Sequence, residues 1–174
     1  KISSRELARN WGLVFFANLI GALGIAALIA LSGHAHMNGG GVGIQMVKIA
    51  AAKTLIPFSE AFFRGVLCNL LVCLAVWCAS GGRSVADKAI AILFPVAAFV
   101  AAGFEHSVAN MYFIPIGILM KESVGPLSGV DLSLLHWEGF LSNLIPVTLG
   151  NILGGSGGVA LIYYLIYRRG SKTK

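Results

Sequence analysis

Of the 174 residues in the chain, 57% are hydrophobic and only 11% are charged, whereas a water-soluble domain is usually about 25% charged. Charges this sparse cannot cover a soluble surface, which excludes an ordinary water-soluble domain. The net charge of +6 could suggest a nucleic-acid partner, but the positive residues cluster at the two ends and in one short loop. That distribution is typical of membrane topology signals.

Several apolar stretches follow one another along the chain, and their lengths decide whether they can cross a membrane. A helix needs roughly 20 residues to span about 30 Å of hydrocarbon. The first span is predicted over residues 11–33, where Gly21 and Gly24 belong to a series of small residues that allow close helix packing in lipid. A glycine-rich turn and a short amphipathic segment over residues 42–54 follow. The second span is predicted over residues 56–80.

The third apolar region, residues 88–120, is long for one membrane helix and carries polar residues in its middle. These are Glu105 and His106, which follow Gly103. Such residues in midspan favour a broken helix, in which two half-helices flank an irregular loop at about residues 101–107.

The fourth span is predicted over residues 140–167. It contains Gly150, Gly154 and Gly158 at four-residue spacing, a pattern typical of tight helix packing in membranes. The sequence therefore predicts an all-α membrane protein with a broken midspan helix, folded as a single transmembrane domain over residues 1–174.

The positive residues predict the orientation of the chain in the membrane. An even number of spans brings three groups of them to one face: Lys1, Arg5 and Arg9; Arg83 and Lys88; and Arg168, Arg169, Lys172 and Lys174. The positive-inside rule then predicts that both ends of the chain are cytoplasmic.

Ionisable groups within a membrane are costly, by about 2.5–3.5 kcal/mol or more each at midplane, so such residues are the first candidates for function. Glu60 and Arg64 are spaced to pair on one helix, as a structural ion pair or an anchor at the membrane edge. His106 can act as a switchable donor or proton relay, or can tie down its loop, and spacing alone leaves both readings open. Glu105 is expected to brace the loop backbone, because a carboxylate repels an anion.

Five further residues are candidates for function, and each has both a structural and a functional interpretation. Lys53 is either an interfacial lysine that extends to the headgroups or part of an anion path. Asn69 and Asn110 can hydrogen-bond between helices or present an amide to a permeating ion. Phe99 and Val72 can pack as ordinary apolar residues or act as hydrophobic gates in a pore.

Motifs of enzymes and metal sites are missing from the sequence. HExxH and phosphate-binding glycine-rich loops do not occur. The letters of GxSxG occur in the glycine run of residues 154–158, but this run lies inside the predicted fourth span and not on the strand-to-helix turn that the motif requires. The spacing of Cys68, Cys73 and Cys78 suits neither a metal site nor a disulfide. A membrane enzyme built on Glu105 and His106 would lack a nucleophile or a metal partner. We therefore predict that the protein is not an enzyme and uses no cofactor and no metal.

Three stretches of the sequence resemble the signature segments of the formate/nitrite transporter family. They are residues 99–111 (FVAAGFEHSVANM), residues 64–77 (RGVLCNLLVCLAVW) and residues 143–151 (NLIPVTLGN). The resemblance implies an aquaporin-like bundle of six membrane helices in two inverted triplets, with the second and fifth broken and five subunits in a ring. The chain resembles helices three to six, so we expect the N-terminal helices to be missing from it.

The resemblance also implies roles for individual residues: a central pore histidine (His106), its acidic neighbour (Glu105), a lysine that draws anions to the outer vestibule (Lys53), a pore-facing asparagine (Asn69), an inner constriction (Phe99) and part of an outer one (Val72). The implied mechanism is that an anion meets apolar constrictions, which a dehydrated charge crosses only at high cost. The histidine then donates a hydrogen bond or a proton, and a weak acid becomes neutral or nearly so.

The function implied is that of a channel for a small monovalent anion, namely formate, nitrite or hydrosulfide. Residues 94–96 and 114–118 look closest to those of formate channels, which favours formate. The implied setting is a homopentamer in the lipid bilayer of the cell inner (plasma) membrane, with no nucleic-acid partner. The competing prediction is a structural or partner-binding membrane subunit without transport activity.

Overall fold

The computed structural model describes residues 3–168, and these residues fold as an all-α membrane protein. Seven α-helices follow in chain order: α1 (Ser4–Leu31), α2 (Gly41–Thr54), α3 (Phe58–Ser80), α4 (Val85–Ala101), α5 (Ser107–Val124), α6 (Trp137–Ile152) and α7 (Leu161–Arg168). A short 3₁₀ turn, His34–His36, lies between α1 and α2, and a π-helical stretch, Leu153–Ala160, joins α6 to α7.

Helices long and apolar enough to cross a membrane number three within the described part of the chain. They are Ser4–Leu31, Phe58–Ser80 and the continuous Trp137–Tyr167. The third predicted span is instead divided, because the chain leaves the helical conformation between Ala101 and Ser107. That gap lies in the stretch where the sequence predicts a break.

The ends of two helices are set by side chains that cap their first turns. Ser3 accepts a hydrogen bond from the Glu6 N–H at 3.2 Å, and the Glu6 carboxylate accepts one from the Ser3 N–H at 2.7 Å. This capping box explains why α1 begins at Ser4, well before residue 11 where the apolar stretch starts. Ser84 and Asp87 form the same arrangement at the start of α4.

The remaining differences from the predicted boundaries are small. The connection between the third apolar region, predicted to end at residue 120, and the fourth span, predicted to begin at residue 140, is shorter than these bounds imply, since α5 continues to Val124 and α6 begins at Trp137. Among the positive residues used to predict orientation, Lys1, Arg169, Lys172, Lys174 and the side chain of Arg168 lie outside the described residues.

The described residues form two compact units, and the first consists of the chain up to Ile56 together with Val108–Leu144. Its core is apolar and is built from α1, α2, α5 and the first turns of α6, with Ala26, Val47, Met111 and Ile114 fully buried. Helices α2 and α5 approach closely at Gly117, where a Cβ atom would meet the side chain of Ala50.

The second unit consists of Pro57–Ser107 and the chain from Ile145 onward. Helix α3 lies against α4 and against the π-helical stretch. The predicted packing role of the glycine series is confirmed here: a Cβ at Gly150 or Gly154 would meet the backbone oxygen of Phe62 or Val66. Glycine thus allows backbone-to-backbone contact of α3 with α6, at Gly150, and with the π-helical stretch, at Gly154.

Candidate functional site

The break between α4 and α5 is a tight turn that a glycine makes possible. Helix α4 closes with hydrogen bonds from the N–H groups of Ala102 and Gly103 to carbonyls at the end of the helix, and the Phe104 N–H then donates to the Phe99 carbonyl at 3.0 Å. Gly103 has a φ of +68°, a left-handed conformation that strongly favours glycine. The chain therefore turns away from the axis of α4 just before Glu105 and His106.

The far side of the break is held by the side chain of Asn151, which is only 5% exposed. Its Oδ1 accepts from the Ser107 N–H at 2.9 Å, and its Nδ2 donates to the carbonyl oxygens of Gly65 at 2.9 Å and Glu105 at 3.0 Å. The first N–H groups of a helix lack intrahelical partners, so Asn151 serves as a remote cap for α5. One amide thus joins the break to α3 and α6.

Asn69 lies in the same hydrogen-bonded cluster. Its Nδ2 donates to the backbone carbonyl of Asn151 at 2.8 Å, which is the interhelical hydrogen bond that its position within an apolar helix favours. A Cβ atom at Gly65 would lie 2.8 Å from the Val147 carbonyl oxygen, so the absence of a side chain there allows α3 and α6 to come within range of these bonds.

His106 is half-buried and lies beside Phe99. Their ring centroids are 6.0 Å apart with an angle of 25° between the planes, so the residue predicted as the inner constriction stacks on the residue predicted as the pore histidine. Phe99 belongs to the end of α4 and His106 to the break. The turn at Gly103 is what brings the two rings together.

Glu105 is almost fully buried, with 3% of its surface exposed. Its backbone N–H donates to the Arg64 carbonyl at 3.4 Å, and its carbonyl accepts from Asn151. These backbone bonds agree with the expectation that Glu105 braces the loop. The predicted pairing on α3 is also present, since Arg64 Nη2 lies 2.7 Å from Glu60 Oε2.

The two remaining candidates lie elsewhere. Val72 is half-buried on α3, between Asn69 and the end of the helix. Lys53 belongs to the first unit, whereas the other predicted site residues belong to the second. The Lys53 ammonium nitrogen lies 5.9 Å from the centroid of the Phe113 ring, within the range of a cation–π contact.

Chemically, the break combines three features that suit a small anion. The imidazole of His106 can donate a hydrogen bond, the N-terminal end of α5 carries a positive partial charge directly after it, and the Phe99 ring adds an apolar wall. This arrangement can favour a weak acid in either its anionic or its neutral form.

Comparison with known proteins agrees with this geometry. The sequence model described as "Formate/nitrite transporter" matches residues 1–165. The chain belongs to the formate/nitrite transporter family. Among curated relatives, the formate channel FocA of Escherichia coli strain K12 is 44% identical over 97% of this chain and 62% of its own length. The probable formate transporter of Methanothermobacter thermautotrophicus is 41% identical over 96% of this chain and 62% of its own length.

Solved structures of the formate/nitrite transporter family share the fold. A pentameric formate channel with formate bound is 40% identical, with a TM-score of 0.86 over 96% of this chain and 69% of the other. An ion channel of the family is 32% identical, with a TM-score of 0.79 over 95% of this chain and 61% of the other. The chain thus spans about 62% of the length of the E. coli channel.

Sequence reasoning did not single out Asn151 as part of the site, although it lies at the end of one of the family-like segments. The signal that was available is its residue type, because an amide in an apolar membrane helix is costly unless it is bonded. Asn143, at the other end of that segment, was also missed. Its side chain bonds Asn110 at 2.7 Å, so the interhelical reading of Asn110 is confirmed.

Proposed function

We propose that the full-length protein is a channel for small monovalent anions, with formate as its preferred substrate, and that His106 assists by donating a hydrogen bond or a proton. The observation that carries the proposal is the break in the helix: a histidine stacked on Phe99 directly before the N-terminal end of α5. Family membership, and relatives that are named as formate channels, support the same function.

On the proposed path, the anion meets a lysine that attracts it, polar side chains that hydrogen-bond it and apolar side chains that narrow the pore. Lys53 attracts the anion electrostatically, and the amide of Asn69 and the imidazole of His106 offer it hydrogen bonds. Val72 and Phe99 form apolar constrictions that oppose a bare charge. Formate, whose pKa is close to the value of about 4 for an aspartic acid, crosses as a neutral or nearly neutral species when His106 shares a proton with it.

The assembly and location follow from the same reasoning. We infer a homopentamer in the cell inner membrane, with both ends of this segment cytoplasmic. Similarity to a solved formate channel that is pentameric supports the pentamer. The orientation is supported by Arg83, in the loop between α3 and α4, and by Lys88, in the first turn of α4. Nitrite and hydrosulfide are the competing substrates, and transport, not catalysis, is the activity proposed.

The test is formate uptake by the full-length protein in proteoliposomes, measured as a function of external pH. Wild-type uptake is expected to rise as the pH falls from about 7 to about 5, since protonation assists permeation. The variant His106→Asn should retain a hydrogen-bonding side chain but show a flattened pH profile.

The matched control is His34→Asn, because His34 is an exposed histidine outside the break, and this variant should keep the wild-type profile. An unchanged profile in His106→Asn rejects the proton-donor role. Nitrite or hydrosulfide flux that exceeds formate flux under equal gradients rejects the substrate assignment, and no flux of any of the three rejects the channel.

A further inference from the structure

The C-terminal end of α2 is held by a chain of two buried side-chain amides. Asn143 Nδ2 donates to the backbone carbonyl of Lys53 at 2.8 Å, and Asn110 Nδ2 donates to Asn143 Oδ1 at 2.7 Å. Asn110 is 0% and Asn143 2% exposed, and all three residues belong to the first unit. One buried amide is therefore directed at the backbone of Lys53, and a second buried amide supports the first.

The other end of the same lysine meets the helix that carries Asn110. The Lys53 ammonium nitrogen lies 5.9 Å from the centroid of the Phe113 ring. Phe113 lies one helical turn after Asn110 on α5, so the two residues share a face of that helix. Lys53 is thus connected to α5 at both ends: at its carbonyl through the two amides, and at its ammonium through the aromatic ring.

The amide chain also changes the electrostatics near Lys53. The last carbonyls of a helix lack intrahelical partners and form the negative end of its dipole, and Lys53 is the next-to-last residue of α2. An anion drawn to the ammonium therefore approaches a negative helix end. The Lys53 carbonyl accepts a long hydrogen bond from the Ile56 N–H at 3.4 Å. The shorter donation from Asn143, at 2.8 Å, offsets a further part of that negative potential, and consecutive buried hydrogen bonds polarise one another in the same direction.

We propose that Asn143, supported by Asn110, is a positioning residue for Lys53: it fixes the end of α2 and reduces its negative potential, so that the ammonium meets an incoming anion. The proposal rests on the proposed function, in which Lys53 attracts the anion. It assigns the two asparagines a role in anion capture in addition to helix packing.

The experiment measures formate flux against formate concentration for the full-length protein in proteoliposomes. In Asn143→Leu, which has a similar volume and no amide, the half-saturating concentration should rise about two- to tenfold, while the maximal flux stays within about twofold of wild type. Asn110→Leu should give a smaller rise, since the bond from Asn143 to Lys53 is retained.

A double-mutant cycle separates positioning from general damage to the fold. In a Lys53→Met background, the further change Asn143→Leu should leave the half-saturating concentration unchanged, because the group that Asn143 positions is gone. If Asn143→Leu fails to assemble, the same cycle with Asn110→Leu tests the amide chain. Asn18→Leu is the matched control, because the Asn18 amide donates to the Val14 carbonyl within α1 and, over residues 3–168, makes no side-chain hydrogen bond to another helix.

Each outcome bears on a different statement. A rise in Lys53→Met without any rise in Asn143→Leu or Asn110→Leu overturns the positioning role and leaves the proposed function intact. An equal rise from Asn143→Leu with and without Lys53 also overturns it. Wild-type protein that passes no formate, or a Lys53→Met variant identical to wild type, overturns the function on which the inference rests.

Discussion

At the scale of single residues, Asn151 is the side chain on which the geometry of the break depends most. Asn151→Leu removes one acceptor and two donors, and so deprives the Ser107 N–H and the carbonyls of Gly65 and Glu105 of this partner. A buried polar group that loses its partner costs about 1–3 kcal/mol. We expect the free energy of unfolding to fall by about 3 kcal/mol or more, as measured by denaturant unfolding of the full-length protein in mixed micelles.

The control for that prediction is Asn18→Leu, which makes the same change at a half-buried position of α1, where the amide donates to the Val14 carbonyl of the same helix. Its effect should stay within about 0.5 kcal/mol. If the free energy of unfolding falls equally in Asn151→Leu and Asn18→Leu, the loss is not caused by removal of the remote cap. It is then a general effect of replacing an asparagine in a membrane helix.

Residue types in the sequence identify which side chains are unusual, but not which of them meet. Glu105 and His106 stand out because charged and titratable groups are costly in a membrane. The bonds of Asn151 join it to residues 44 and 86 positions away, a separation that no local spacing reveals. The family resemblance supplied roles for Lys53 and Asn69. The amide chain behind Lys53 joins residues 33 and 90 positions apart in the sequence, so only the folded structure reveals it.

At the scale of elements, the close contact between the π-helical stretch and α3 depends on Gly154, where the two backbones approach each other. A Cβ at Gly154 would collide with the backbone of Val66, whereas a Cβ at Gly157 meets only the flexible side-chain end of Leu153, at 3.2 Å. We expect Gly154→Ala to destabilise the protein by about 1–3 kcal/mol through overpacking, and Gly157→Ala to be close to neutral. Thermal unfolding of both purified variants compares them directly, and equal midpoints contradict the predicted contact.

The cap of α4 gives a prediction about pH. Hydrogen bonds from the Ser84 N–H, the Ser84 hydroxyl and the Arg83 N–H hold the pKa of Asp87 below its usual value. A lowered pKa in the folded state means that the carboxylate stabilises the fold above its unfolded pKa, and that this contribution is lost as the pH falls through the folded pKa. The difference in melting temperature between wild type and Asp87→Ala should therefore be constant near neutral pH and shrink below about pH 4.

Ser80→Ala is the control for the cap, because the Ser80 hydroxyl donates to the Val76 carbonyl within its own helix and takes no part in the cap of α4. Its melting temperature should differ from that of wild type by the same small amount at every pH. A difference for Asp87→Ala that stays constant into acid would show that the carboxylate does not cap α4.

The positions of the helices could be predicted from the sequence where a change in hydrophobicity marks their ends. The break in the third apolar region followed from Gly103, Glu105 and His106, which interrupt an otherwise apolar run. The early start of α1 was missed because the Ser3–Glu6 capping box extends the helix into polar sequence. The π-helical geometry of Leu153–Ala160 was missed because periodicity cannot distinguish it from an α-helix in a run so rich in glycine.

At the scale of the whole molecule, orientation in the membrane is the property that the positive residues at the start of α4 and in the loop before it predict most directly. Arg83 and Lys88 follow α3, so the loop between α3 and α4 is expected to be cytoplasmic, and the loop between α5 and α6 to face the opposite side. Gly81 and Ser128 are exposed positions in these loops. Each can be replaced by cysteine in a protein whose Cys68, Cys73 and Cys78 are alanine.

A membrane-impermeant maleimide added to spheroplasts should label Ser128→Cys and not Gly81→Cys, and inside-out vesicles should reverse the pattern. The two substitutions control for each other, since both are on short loops of the same chain. Labelling of Gly81→Cys from outside would place the positive loop on the wrong side of the membrane. The outer position of Lys53 that the family resemblance implies would then be wrong, because the same topology that makes the loop at Arg83 cytoplasmic makes the C-terminal end of α2 external.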